Sequence, residues 1–215
     1  ADLDGDGDRD LAAASGGFGP QDFLKLFFQT GPGVFAGANQ QLPTGSDPLS
    51  AAAADLDGDG DMDLVSVNQQ GGDLTMFFQT DAREFSPSAA PLPVGEWPAS
   101  VAAADLDGDG DIDLVSANEN SNDLTLYFQT SAGVFTLSAV QLHTGSKPRR
   151  VVAADLDQDG DIDLVSVNAL DSDLTLFFQT SPGVVTPAAT PLATGTCPIS
   201  LDAADLDGDG DIDLA

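Results

Sequence analysis

Asp105-Leu106-Asp107-Gly108-Asp109-Gly110-Asp111-Ile112-Asp113 sets a carboxylate at every second position of one short stretch and a glycine at its fourth and sixth positions. Four more stretches fit the same pattern, D-x-D-x-D-G-x-x-D: Asp2 to Asp10, Asp55 to Asp63, Asp155 to Asp163 and Asp205 to Asp213. The chemistry is that of a calcium loop. Calcium is a hard cation that takes about six to eight oxygens, and a turn offering side chains at positions 1, 3, 5 and 9 plus a backbone carbonyl at position 7 wraps one ion. Glycine at position 6 permits the sharp bend where a Cβ would clash.

The candidate metal-binding residues are therefore Asp2, Asp4, Asp6, Asp8 and Asp10 in loop 1 and Asp55, Asp57, Asp59, Asp61 and Asp63 in loop 2. Loop 3 supplies Asp105, Asp107, Asp109, Asp111 and Asp113, and loop 4 supplies Asp155, Asp157, Asp159, Asp161 and Asp163. Asp205, Asp207, Asp209, Asp211 and Asp213 complete the set, which predicts one Ca2+ per loop and up to five in all. In loop 4 Gln158 replaces the glycine at position 4, which is not a ligand position, so that site is expected to survive. Loop 1 has Arg9 where others have Met62 or Ile112, a change expected to weaken the packing beneath it.

Working outward, Ala54, Ala104, Ala154 and Ala204, each directly before a loop, recur every 50 residues. Ala1 precedes Ala54 by 53, and the extra residues fall between Asp10 and Leu24, where Ser15-Gly-Gly-Phe-Gly-Pro-Gln21 replaces a shorter connection. A period of this size signals a repeat architecture. Within each repeat a small-residue strand such as Ser100 to Ala104 enters the loop, and a second, Ile112 to Ala117, leaves it and ends at a polar turn, Asn118 to Asn122. In the third, Asp123 to Thr130, Leu124, Leu126 and Phe128 alternate with Thr125, Tyr127 and Gln129, the period of a strand. A fourth runs irregularly from Val134-Phe135 towards Gln141-Leu142, and a Gly-x-x-Pro turn, as at Gly145 to Pro148, starts the next repeat.

Four strands in about 50 residues is the arithmetic of a propeller blade. The expected fold is all-β, a β-propeller-type array of four-stranded antiparallel blades over residues 1–215. Blades fall at about 1–48, 49–98, 99–148 and 149–198, and 199–215 begins a further blade or closes a ring. The first blade's opening strand is either missing or supplied by 199–204. Small residues at Ala51 to Ala54 and Ala102 to Ala104 suit a crowded axis, and the pairs Phe77-Phe78, Tyr127-Phe128 and Phe177-Phe178 suit both inter-blade seams. The chain begins and ends inside copies of one motif, so an excerpt of a longer array is expected.

Composition narrows the function. The formal charge is −30, and the loops, with five aspartates each, hold 25 of the 36 acidic residues. Five divalent ions would still leave about −20, which opposes nucleic acid and anionic membranes as partners. Lys147, Arg149 and Arg150 form the only basic cluster and read as a local solvated patch. Cys197 is the single cysteine, so no disulfide forms within the chain. Modest-affinity calcium loops suit calcium-rich surroundings, which points to an extracellular or cell-surface setting.

The stretch Ser100 to Ser116, SVAAADLDGDGDIDLVS, resembles the FG-GAP/VCBS repeat family, the calcium-binding propeller blades of integrin α-subunits and secreted bacterial proteins. The resemblance spans essentially the whole chain. Gly33-Val-Phe35 and Gly133-Val-Phe135 stand where family members have Gly-x-Phe, while Gly183-Val-Val185 departs from it. What it implies is a propeller, structural calcium and an adhesion or ligand-binding role. An EF-hand is excluded because loop position 12 is Ala13, Ser66, Ser116 or Ser166 instead of an acid, with strands where helices belong.

Paired carboxylates also suit glycosidases, but nearly all clustered acids here are already assigned to metal. His143, the single histidine, has no visible nucleophile partner and reads as a surface residue. The expectation is a non-catalytic protein. The residue before the proline of the Gly-x-x-Pro turn varies, as Asp47, Trp97, Lys147 and Cys197, which suggests an exposed face. Trp97 and Lys147 are the candidate ligand-binding residues there, with a protein or glycan as partner; the alternative for Trp97 is a cover over a blade junction. Two further functions stay open, a sugar-binding lectin and a building block that self-assembles into an extracellular filament or stalk.

Overall fold

In a computed structural model, which describes residues 1–17 and 22–215, the described residues form twenty short strands arranged as successive antiparallel sheets, and no helix. The first sheet orders β1 (Leu11–Ser15), β2 (Phe23–Gly31) and β3 (Val34–Pro43). The second holds β4 (Pro48–Ala54), β5 (Asp63–Asn68), β6 (Asp73–Asp81) and β7 (Glu84–Pro87), with β8 (Leu92–Pro93) also on β6. The third repeats this with β9 (Pro98–Ala104), β10 (Asp113–Asn118), β11 (Asp123–Ser131), β12 (Val134–Leu137) and β13 (Leu142–His143). The fourth has β14 (Pro148–Ala154), β15 (Asp163–Asn168), β16 (Asp173–Ser181), β17 (Val184–Pro187) and β18 (Leu192–Ala193). A final hairpin pairs β19 (Ala203–Ala204) with β20 (Asp213–Leu214).

The expected fourth strand is two pieces in units two to four. In the third sheet β12 pairs with β11 from Ser131↔Val134 to Tyr127↔Leu137, and β13 rejoins β11 at Leu124↔Leu142 after a gap. In the first sheet the corresponding β3 is unbroken, with a register shift between Lys25 and Phe27. Ahead of β1, the Asp10 N–H donates to Ala1 O at 2.7 Å. The length difference noted between Asp10 and Leu24 lies partly at residues 18–21, outside the described residues.

Core lies between sheets because the central strands are buried on both faces. β5, β10 and β15 are buried at every residue, so the period-2 alternation of a strand sends neighbouring side chains into opposite seams. Leu114 packs with Leu56, Val65, Val67, Leu74 and Met76 of the second unit. Its neighbours Val115 and Ala117 pack with Val151, Leu164, Phe177 and Val185 of the fourth. The aromatic pairs divide likewise: Tyr127 faces the second unit, and Phe128 lines the seam with the fourth. Phe77 and Phe177 are fully buried, each contributing about 2–3 kcal/mol by burial. Tyr127 adds a polar tie, its hydroxyl donating to Pro93 O at 2.6 Å.

The alanine-rich first strands β4, β9 and β14 approach one another side by side. Their small residues line a cleft of about 260 Å³ that Arg150 also borders. No helix of the described residues is long and apolar enough to cross a membrane.

Candidate metal centres and the inter-sheet turns

Each acidic loop closes on itself through its first aspartate. In loop 3 Asp105 Oδ1 accepts the N–H of Gly108 at 2.7 Å and Oδ2 accepts that of Gly110 at 3.0 Å; loop 2 repeats this from Asp55 to Gly58 and Gly60. Both glycines lie in the left-handed region, Gly108 at φ 77 and Gly110 at φ 94. Position 4 thus carries a backbone constraint that the sequence reading assigned only to position 6. Gln158 adopts that conformation with a side chain, at φ 64, and its N–H still reaches Asp155 Oδ1 at 2.7 Å. The loop geometry survives the substitution at a local cost of about 1 kcal/mol.

The ninth residue is the buried anchor. Asp113 is 0% exposed; its Oδ2 accepts the Leu106 N–H and its Oδ1 the Gln129 N–H, both at 2.8 Å, tying the loop to β11. Asp63 does the same for Leu56 and Gln79. Burial pushes the carboxyls of Asp63 and Asp113 up to about 6; the two N–H donors counter it, and neighbouring aspartates add to it. Asp163 is raised in the same way, and Asp57 and Asp107 are raised by burial and then by the charges of Asp59 and Asp109.

Positions 1, 3 and 9 converge in four loops. One carboxylate oxygen each from Asp55, Asp57 and Asp63 lie within 4.8 Å of one another, as do those of Asp105, Asp107 and Asp113, Asp155, Asp157 and Asp163, and Asp205, Asp207 and Asp213. Oxygens sharing one calcium at about 2.3–2.6 Å are at most about 5 Å apart, so the spacing and the all-oxygen donor set fit that ion. Position 5 stands outside these groups, and Asp59 Oδ1 accepts the Asp61 N–H at 2.9 Å. Asp8, Asp61, Asp111, Asp161 and Asp211, at position 7, join no group. Loop 1 differs: its group is Asp2, Asp4 and Asp6, without Asp10.

The next unit covers the loop. The turn between β11 and β12 brings Gly133, at φ 66, so close that a Cβ there would lie 3.1 Å from the Phe78 ring and 3.5 Å from Asp57 Cβ. Gly183 stands equally against Phe128 and Asp107. At the same place over loop 1 the chain has Arg83, at φ 69, with its guanidinium 4.8 Å from the Phe28 ring centre. The sequence reading did not single out Arg83, and only its departure from Gly33, Gly133 and Gly183 marks it. Gln79 also bridges loops: with its amide turned, the nitrogen donates to Met62 O at 3.0 Å and Leu3 O at 3.1 Å.

The opposite end of the second, third and fourth sheets carries a second polar assembly, which the sequence marks only as a turn. Ser116 Oγ donates to Asn118 Oδ1 at 3.1 Å, and Asn118 Nδ2 donates to Asp123 Oδ1 at 2.8 Å and Thr125 Oγ1 at 2.9 Å. Ser66, Asn68, Asp73 and Thr75 repeat it, as do Ser166, Asn168, Asp173 and Thr175. The repeated S-x-N and D-x-T spacing was the available signal. The Gly-x-x-Pro turn rests on this assembly: a Cβ on Gly145 would meet Asn168 Nδ2 at 2.7 Å.

Asp47, Trp97, Lys147 and Cys197 all stand in this turn at positive φ, between 56 and 61. Trp97 is 46% exposed and Cys197 is exposed, whereas Asp47 and Lys147 are half-buried. Two residues of the basic cluster are paired, while Arg150 is exposed. Arg149 lies 2.9 Å and Lys147 3.5 Å from the Glu119 carboxylate of the preceding unit, and Lys147 also donates to Asn120. His143 is exposed on β13.

Among solved structures, the fold is similar to that of a candidate 6-phosphogluconolactonase of Bacteroides uniformis, with a TM-score of 0.70 at 14% identity over 94% of this chain and 59% of that one. A functionally unknown protein of Desulfotomaculum acetoxidans gives 0.64 at 15% identity over 89% and 56%. An Agrocybe aegerita lectin that recognises non-reducing terminal N-acetylglucosamine gives 0.57 at 16% over 96% and 60%. The chain therefore spans between 56% and 60% of the length of these structures, and at such identities the likeness is one of fold. No curated protein matches the sequence. The family model for the FG-GAP-like repeat matches four times, at residues 2–66, 55–116, 105–166 and 155–215, so that with these acidic loops tiled from end to end the chain belongs to the FG-GAP-like repeat family.

Proposed function

We propose that the units are blades of a calcium-stabilised β-propeller, a non-catalytic module that works outside the cell and presents its Gly-x-x-Pro turns to a protein or glycan ligand. The observation that carries the calcium reading is the convergence of three carboxylate oxygens, from positions 1, 3 and 9, within 4.8 Å in loops 2 to 5. Like charges held this close repel unless a cation joins them. An ion bound only by the folded chain stabilises each site by about 2.7 kcal/mol at a hundredfold excess over its Kd. Thermal unfolding in calcium, in magnesium and in chelator tests this. The midpoint rises in calcium and much less in magnesium, which demands tighter octahedral geometry. Equal midpoints in all three would sink it.

A lectin activity is the second reading, supported by Trp97, whose large indole is half-exposed in a turn. A flat apolar ring of this kind stacks on sugar faces. Glycan-array binding that disappears in Trp97→Ala supports the lectin; binding untouched by that change places the ligand elsewhere. Self-assembly into a filament is the remaining outcome, read by electron microscopy of the native particle.

A further inference from the structure

Loop 1 departs from the other loops in what covers it and in which carboxylate oxygens gather. Arg83 reaches it from the second unit's turn between β6 and β7: Nε donates to Asp4 Oδ2 at 2.5 Å, the guanidinium pairs with the same oxygen through its terminal nitrogen, and that nitrogen lies 3.8 Å from Asp6 Oδ2. The Asp4 side chain is left 2% exposed, although the Arg83 side chain itself remains 47% exposed. The oxygen group then comprises positions 1, 3 and 5, whereas the other four loops gather 1, 3 and 9. At the corresponding place over loops 2 and 3 stand Gly133 and Gly183, which carry no charge.

We propose that Arg83 is the resident cation of loop 1, so that this loop is closed to calcium while the other loops bind it. The inference rests on the calcium reading of those loops. The geometry favours it because a guanidinium is permanently charged and directs several donors at carboxylates. Its stem lies on the Phe28 ring, which fixes the side chain before any ion arrives. A calcium ion entering loop 1 would have to take Asp4 from Arg83 and leave two like cations side by side, so exchange is opposed twice. The seam between the first two units is thereby held without calcium, and calcium dependence is confined to the later seams.

The test counts bound calcium by native mass spectrometry and by calorimetric titration of the whole chain. It compares wild type, Arg83→Gly, Asp2→Asn and the double variant. Glycine is tolerated at this positive-φ turn, as Gly33, Gly133 and Gly183 show, and Arg83→Gln keeps a polar side chain as a second probe. Arg83→Gly and Arg83→Gln should each bind one ion more than wild type, Asp2→Asn should leave the wild-type count unchanged, and the double variant should lose the extra ion. In chelator, Arg83→Gly should melt below wild type. If Asp2→Asn removes an ion from the wild-type background, or if both Arg83 variants keep the wild-type count, this proposal fails while the calcium reading stands. If neither wild type nor the variants bind any calcium, both fail.

Discussion

Asp113→Asn separates the brace that the buried ninth aspartate provides from the ion binding proposed for it. At neutral pH the ion-free protein holds a carboxylate whose pKa is pushed from 3.8 to about 6, a penalty of about 3 kcal/mol against the ionised form. Asparagine removes that charge but offers one acceptor where the carboxylate offered two, so either the Leu106 or the Gln129 N–H is left unpaired, at about 1–3 kcal/mol. The two terms nearly cancel, and in chelator the variant should unfold within about 2 kcal/mol of wild type. In calcium it loses one of three converging oxygens and with it most of the site's stabilisation, about 2.7 kcal/mol at a hundredfold excess of ion. Urea titration followed by far-ultraviolet circular dichroism reads both, since urea is uncharged and leaves Coulomb interactions in place. A loss of equal size in chelator and in calcium would refute the reasoning, because Asp113 would then be a brace and not a ligand.

Other expectations follow from the same geometry. Asp63 and Asp113 lie above the unfolded value of 3.8 in the ion-free chain, so their contribution is fully present below about pH 4 and is lost as pH rises through about 6. In chelator the melting temperature should fall between about pH 4 and pH 6 and level off above about pH 7, with a flatter profile in the Asp63→Asn/Asp113→Asn variant. On the proposed calcium reading the ion binds the deprotonated groups and should reverse the trend, its stabilising effect shrinking as pH drops below about 6; a pH-independent calcium effect would contradict this. Gly145→Ala drives a Cβ to 2.7 Å from Asn168 Nδ2, whereas Gly195→Ala meets nothing within 4 Å. The first should cost about 1–3 kcal/mol and the second less than about 0.5 in urea unfolding. Asn118→Ala strands Ser116, Asp123 and Thr125 in a buried network and should cost about 2–4 kcal/mol by the same measurement.

The local elements were legible because both signals that specify them are local. The alternation of Leu124, Leu126 and Phe128 with Thr125 and Tyr127 predicts β11, and the structure places it at Asp123–Ser131. The fourth strand was harder to read, because two short pieces meeting one long partner leave only a weak alternation, as in Val134–Leu137 and Leu142–His143. The buried role of Asn118 was missed because its partners become neighbours only once the hairpin closes. The left-handed backbone at Gln158 was likewise hidden, since four glycines and one glutamine at a loop position do not reveal φ until the loop is built.

The sequence alone determined what each unit is: a loop rich in carboxylates between strands, repeated about every 50 residues. That information sits within a few residues and survives without the rest of the chain. Only the tertiary structure decided how units differ, because that depends on what one lays against the next. Loops that read as near copies are covered by Gly133, Gly183 or Arg83 across a seam. A side chain distant in sequence from Asp4 therefore sets the electrostatics of the first loop: charge acts through space, and only folding brings the second unit's guanidinium to the first unit's carboxylates.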